Sequence, residues 1–200
     1  YGGYGGYGAL GMANNATEGA EALAGALPTC AALASVNLSN TGLGPQDAAL
    51  LAPALQACAS LTFVDVSSCN LGPKGAEELA TAITSSTSIT KLNILGNGIG
   101  EESYGLVVSV AEDKGLITLC GCSKNGQTDV DLSDKNLDPI DVKLVAWDLR
   151  AGAVGRSLVT LNLEGNQLMQ GGGARRGGGR GCYGGYGGYG ALGMANNATE

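Results

Sequence analysis

Apolar residues recur along this chain in two alternating rhythms. Leu33-x-x-Val36-x-Leu38, Leu61-x-x-Val64-x-Val66 and Ile89-x-x-Leu92-x-Ile94 start at intervals of 28 residues. Each is followed by a second, shorter motif: Thr41-x-Leu43, Cys69-x-Leu71 and Asn97-x-Ile99. Two later copies are Val130-x-Leu132 with Lys135-x-Leu137, and Leu158-x-x-Leu161-x-Leu163 with Asn166-x-Leu168. Alternation of apolar and polar positions predicts a short strand in every copy. The period then changes to that of a helix: Ala76, Leu79, Ala80, Ala82 and Ile83 after Leu71; Tyr104, Val107, Val108, Val110 and Ala111 after Ile99; Val142, Val145, Ala146 and Leu149 after Leu137. Gly19, Ala20, Leu23, Ala24, Ala26 and Leu27 form an opening half-unit with the same spacing. Pro73 after Gly72, and Asp138 before Pro139, are helix-start signals. Pro53, inside Leu51–Leu55, is expected to kink or shorten its helix.

A strand followed by a helix cannot bury its own apolar face, but a stack of such units can. Three places depart from the regular stack. The interval from Ile89 to the matching Gln127 is ten residues too long, and Leu116–Cys122 reads as a strand begun and not completed, either a degenerate repeat or an insertion. Lys135 falls where the other copies carry Thr41, Cys69, Asn97 and Asn166. A buried lysine is costly unless paired, so the repeat is expected to open there. After Leu168 glycine replaces the next helix.

The period, the five strand motifs and the helix Gly19-Ala-x-x-Leu23-Ala-x-Ala-Leu27 resemble the leucine-rich repeat family. Within it they are similar to the ribonuclease-inhibitor-like subclass, also found in NOD-like receptors and the Ran GTPase-activating protein. The resemblance covers roughly residues 17–170. It implies an α/β fold: a leucine-rich-repeat solenoid, shaped as a horseshoe arc, with an inner parallel sheet and outer helices. Residues 1–16 and 171–200 are then separate low-complexity segments. Their Gly/Tyr-rich composition cannot build a core and predicts disordered ends.

Composition narrows the chemistry. The sequence has no histidine, so a Ser-His-Asp triad, a Cys-His dyad and histidine-ligated metals are excluded. Eighteen acidic against 11 basic residues give a net charge of −7, which argues against nucleic-acid binding over most of the chain. Cys30, Cys58 and Cys69 sit at repeat positions and read as buried structural thiols. Cys120-Gly-Cys122 alone is too little to specify a metal, and no cofactor is implied. An ample core makes a disulfide framework unnecessary and favours a reducing, cytoplasmic location. That inference reverses if Asn15-Ala-Thr17, Asn37-Leu-Ser39 or Asn197-Ala-Thr199 is glycosylated in a secreted protein. No signal peptide or transmembrane run is visible.

Residues between the apolar strand positions are expected on the concave face. Asn37, Asp65, Asn93, Asp131 and Asn162 would form one polar column, with Phe63, Lys91 and Asp129 beside it. This surface suits a protein partner, possibly a basic one, with Phe63 as an aromatic anchor. Carboxylates on an open sheet face gain little desolvation, so glycoside hydrolysis is not expected and the chain reads as non-catalytic. Two other readings stay open. Arg175, Arg176 and Arg180 lie in an Arg-Gly stretch similar to those of RNA-associated proteins, and with the Tyr-Gly tracts they suggest RNA contact or matrix-like self-association. The Ran GTPase-activating resemblance suggests a regulatory module of a small-GTPase system, at fold level only. Finally, residues 183–200 repeat residues 1–18 letter for letter. The chain is then either one unit of a tandem array or carries a duplication from sequence assembly.

Overall fold

A computed structural model of the chain describes residues 17–122, 127–151 and 154–168. Helix α1 (Glu18–Ala26) runs into a 3₁₀ turn, Leu27–Thr29. Strands and helices then alternate: β1 (Ser35–Asn37), α2 (Pro45–Ala57), β2 (Phe63–Asp65), α3 (Gly72–Ser85), β3 (Lys91–Asn93) and α4 (Gly100–Lys114). After a longer connection come β4 (Asp129–Asp131), α5 (Pro139–Ala151), α6 (Val154–Ser157) and β5 (Thr160–Asn162). All the strand pairs are parallel, as crossover helices require. Among the described residues this is a mixed α/β architecture compatible with a leucine-rich-repeat fold. No helix there is long and apolar enough to cross a membrane.

The alternation seen in the sequence sets which side chains enter the core. Val64, Leu92 and Val130 are buried at the centres of their strands, while the flanking residues are not. Leu61, Val66, Leu71, Ile94, Ile99 and Leu137 join them from the strand flanks, and Leu51, Leu55, Leu79, Ile83 and Leu144 from the helices. Pro53 does not shorten α2, which keeps 13 residues. Its ring is exposed, so the missing N–H falls on the solvent side. Asp138 caps α5 as the sequence suggests, accepting the N–H groups of Ile140 (2.8 Å) and Asp141 (3.0 Å).

The polar position after a strand can stitch one repeat to the one before. Thr41 Oγ1 donates within its own repeat, to the Leu38 carbonyl (2.7 Å), and Cys69 Sγ reaches that same carbonyl from the next repeat (3.2 Å). Asn97, fully buried, reaches further: Nδ2 donates to Val66 O (2.9 Å) and Ile94 O (2.8 Å), and Oδ1 accepts the Leu71 N–H (3.4 Å). Asn166 does the same for Leu132 O, Leu163 O and the Leu137 N–H. Lys135 is exposed, so the cost of burying an unpaired lysine does not arise; it stands on a turn whose neighbours Asp134 and Asn136 take left-handed backbone angles. Cys30 is a correction. Cys58 and Cys69 are buried, but Cys30 is exposed, because it lies in the opening unit with only α1 ahead of it.

The stack is interrupted after β3. The segment beyond α4 begins as a fourth strand: Ile117 N–H donates to Thr90 O, and Leu92 and Ile94 donate to Thr118 O and Leu119 O. At Cys120 it turns back, leaving a single antiparallel bridge to Asn93. Strand β4 therefore pairs with β5 alone, and the sheets are three-stranded (β1–β2–β3) and two-stranded (β4–β5). Two buried carboxylates on α5 cover the interruption. The turn N–H groups of Asn40, Ser68 and Asp134 each donate to a carbonyl of the next repeat. The matching Gly96 N–H instead donates to Asp141 Oδ1, at 2.8 Å. Two helical turns on, Asp148 accepts the Leu119 N–H (2.7 Å), the Cys120 N–H (3.2 Å) and the Thr118 hydroxyl. Val130, Leu137, Leu144 and Trp147 share one core cluster with Ile99, Leu116 and Leu119, so apolar contact continues where the sheet does not.

Asp47 holds the same place on α2 that Asp141 holds on α5. Both accept an N–H of the residue three positions earlier, Gly44 (2.7 Å) and Asp138 (2.9 Å). Asp47 Oδ1, however, is buried without a partner. Removing Asp148 or Asp141 leaves buried N–H donors unpaired. We therefore expect Asp148→Ala to cost roughly 3 kcal/mol and Asp141→Ala roughly 2 kcal/mol, against about 1 kcal/mol or less for Asp47→Ala. Urea unfolding of the full chain measures all three. Equal losses at Asp47 and Asp141 would contradict a special role for the Gly96 contact.

Candidate functional site

Strand pairing fixes the neighbours of every surface residue singled out in the sequence. Ser35, Phe63 and Lys91 form one row across the first sheet, and Asn37, Asp65 and Asn93 the next. Phe63, Asp65, Lys91 and Asn93 are half-buried and Asn37 is exposed. On the second sheet Asp129 pairs with Thr160 and Asp131 with Asn162. The expected five-residue column is thus two shorter ones, Asn37–Asp65–Asn93 and Asp131–Asn162. The reason is local: Cys120 turns away from β3, so no strand carries the column across. Arg175, Arg176 and Arg180 lie outside the described residues.

All five column residues share a structural task that the sequence reading missed. Each accepts a hydrogen bond on Oδ1 from the N–H two residues on, closing a turn at the end of its strand. In three repeats a serine hydroxyl adds a second bond: Ser39 to Asn37 (2.7 Å), Ser67 to Asp65 (2.7 Å) and Ser133 to Asp131 (2.6 Å). The signal was in the sequence as Asn37-x-Ser, Asp65-x-Ser and Asp131-x-Ser. One oxygen of each side chain is committed to the turn, and the outer atom remains for contacts across the row. Asp65 Oδ2 accepts from Asn93 Nδ2 at 3.1 Å in this way.

The same bonds set the local electrostatics. The Ser133 hydroxyl, then the Ser133 N–H, hold the Asp131 carboxyl below its ordinary value, with Lys135 adding a smaller contribution of the same sign. Hydrogen bonds from Thr128 and then Thr160 lower Asp129 likewise. Between the two halves lies a groove of about 470 Å³. Ser39, Asp65, Ser67 and Asn93 line one side, and Asp134 and Lys135, on the turn after β4, line the other. Asp134 is therefore brought to the same cavity as Asp65, across a break of more than sixty residues in sequence.

One group of potential metal donors occurs among the described residues: Cys120, Cys122 and Asp148, all buried, with donor atoms within 4.8 Å of one another. The two sulfurs stand 3.0 Å apart and Cys120 Sγ is 2.6 Å from Asp148 Oδ2. Two thiolates on one tetrahedral zinc would be about 3.8 Å apart, given Zn–S bonds of about 2.3 Å. The two sulfurs stand closer together than a shared zinc ion would hold them.

Residues 57–80, from the end of α2 through β2 into α3, match the family model described as Leucine Rich repeat. No curated protein matches the chain. The match supports the leucine-rich-repeat resemblance over the stretch where strand, turn and helix are most regular. Domains of this kind commonly mediate protein–protein interaction and are generally not enzymes.

The Ser133 bonds favour the ionised form of Asp131. Their contribution is present above the ordinary carboxylate pKa and is lost as pH falls through the lowered folded value. Ser133→Ala is expected to raise the Asp131 pKa towards its ordinary value and to leave Asp129, held by Thr128, where it is. Carboxyl-carbon NMR titration of the two residues checks this. Movement of both together would point to a general change of charge instead.

Proposed function

We propose that this chain is a non-catalytic protein-interaction module of the ribonuclease-inhibitor-like kind, forming an arc that binds a partner on its strand-and-turn face. The reading is carried by the groove between the turns of β1–β3 and the turn after β4. There a polar surface with Asp65, Asp134 and Lys135 is concave, and the half-buried Phe63 lies two residues before Asp65 on β2. Partners of ordinary loop or helix size fit such a surface better than a small substrate, because small-molecule sites are lined mainly by apolar side chains and most residues lining this one are polar. The contacting residues are Asn37, Phe63, Asp65, Lys91 and Asn93 from the first sheet and Asp129, Asp131 and Asn162 from the second. The repeat body, residues 18–170, carries 17 acidic and 8 basic residues, which favours a basic partner.

An aromatic anchor at the centre of an interface is worth about 2 kcal/mol, roughly 30-fold in affinity. With the full chain as bait in lysate, Phe63→Ala is expected to weaken capture of a discrete protein by about that factor, with an unchanged thermal midpoint, and Asp131→Lys to weaken it further. Retained capture with a lowered midpoint would make Phe63 a packing residue. Capture that RNase abolishes, and that is lost when Arg175, Arg176 and Arg180 become alanine, would move the function to the Arg-Gly tract.

A further inference from the structure

We propose that Cys120 and Cys122 are a thiol–disulfide exchange site, closing a reversible intrachain disulfide with a low-molecular-weight disulfide such as oxidised glutathione as co-substrate. The two sulfurs already face each other at 3.0 Å. A disulfide bond is about 2.05 Å long, so closure takes about 1 Å of movement. The chain between them is prepared for it. Gly121 has a left-handed φ of +74°, and a Cβ there would stand 3.0–3.3 Å from the Asn93 side chain, so the tight reversal requires glycine. Thr118 Oγ1 accepts the N–H of both Cys120 (3.2 Å) and Cys122 (3.0 Å), which pins the two cysteine backbones to one atom.

The polar surroundings separate the roles of the two thiols. The Cys120 thiol has one proton, and both Asp148 Oδ2 (2.6 Å) and Cys122 Sγ (3.0 Å) lie within its reach. Its hydrogen bond with Cys122 and burial push the Cys120 thiol far up, while the same bond brings Cys122 below its ordinary value. Cys122 is therefore the attacking thiolate. It attacks one sulfur of the glutathione disulfide and expels a glutathione thiolate, which takes up the proton Cys122 had released. Cys120 sulfur then displaces the second glutathione from Cys122, its proton passing by way of Asp148 Oδ2 to that leaving thiolate. The dithiol loses two hydrogens, and one disulfide co-substrate becomes two thiols. Closure also withdraws the Cys120 S–H donor from Asp148, the residue that covers the end of the first sheet.

Sequence makes the test clean, because trypsin cleavage after Lys114 and Lys124 isolates residues 115–124 with these two cysteines and no other. The folded full chain is equilibrated in glutathione buffers from fully reduced to fully oxidised. It is then quenched in acid, alkylated in denaturant, digested and weighed by mass spectrometry. The expected result is that this peptide becomes unalkylated and two hydrogens lighter, with more than half converted at equal reduced and oxidised glutathione. Dithiothreitol reverses it, while Cys58 and Cys69 stay alkylatable. In Cys122→Ser the lighter peptide is absent and Cys120 stays alkylatable. A peptide that remains doubly alkylated in oxidised glutathione alone overturns the proposal. So does stable glutathionylation without ring closure. Stoichiometric zinc in the purified chain, protecting both thiols until a chelator removes it, overturns it in favour of a metal site.

Discussion

A parallel sheet built from repeats depends on each strand finding the next, and here the chain of pairing stops at the incomplete strand that follows β3. The unpaired edge lies against the core, where amide groups without partners are expensive. Asp141 and Asp148 take the place of the missing strand. They lie on one face of α5, are 1 % and 2 % exposed, and accept N–H groups from the Gly96 turn and from Leu119–Cys120. A carboxylate is suited to this because it only accepts, and because its two oxygens serve donors that a single carbonyl row would otherwise meet. The burial of two charges is made tolerable by that number of donors. The position of α5, of the second sheet and of the groove between the halves all follow from these contacts.

Within each half a second device sets the geometry. Where the polar residue after a strand is cysteine or asparagine it reaches back to the preceding repeat, and how much it holds depends on its hydrogen-bonding capacity. Cys69 donates to one carbonyl there, while Asn97 and Asn166 each donate to one carbonyl and accept one N–H there; Thr41 donates to a carbonyl of its own repeat. Lysine has no acceptor and cannot do this. The repeat carrying Lys135 therefore turns it to solvent and relies on Asn166 from the following repeat. The Asx turns at the strand ends complete the frame. They fix the direction in which the surface residues leave the sheet, so that the five side chains of the polar column are also the ones that close the turns.

This double use changes how substitutions on the face should be understood. Replacing Asp65 or Asp131 removes both a surface charge and the acceptor that closes a turn, whereas Phe63 and Lys91 close no such turn. The interruption also divides the face into two sets of strands with a cavity between them, where an unbroken stack would present one continuous ridge.

The period of 28, the change from strand to helix rhythm and the caps at Asp138–Pro139 were all legible in the sequence, because each depends on residues near one another along the chain. So was the irregularity at Leu116–Cys122. The partners of Asp141 and Asp148 were not. Those contacts span 45 and about 30 residues, and an aspartate in a helix looks the same whether it faces water or a broken strand. The sequence likewise placed Phe63, Lys91 and the polar column on one kind of face, but only the tertiary structure split that column at Cys120 and brought Asp134 opposite Asp65. It also exposed Cys30 and Lys135, since burial depends on what covers a residue from the neighbouring repeat. Local periodicity determines what each unit is; where one unit meets the next is decided by long-range hydrogen bonds that no local pattern records.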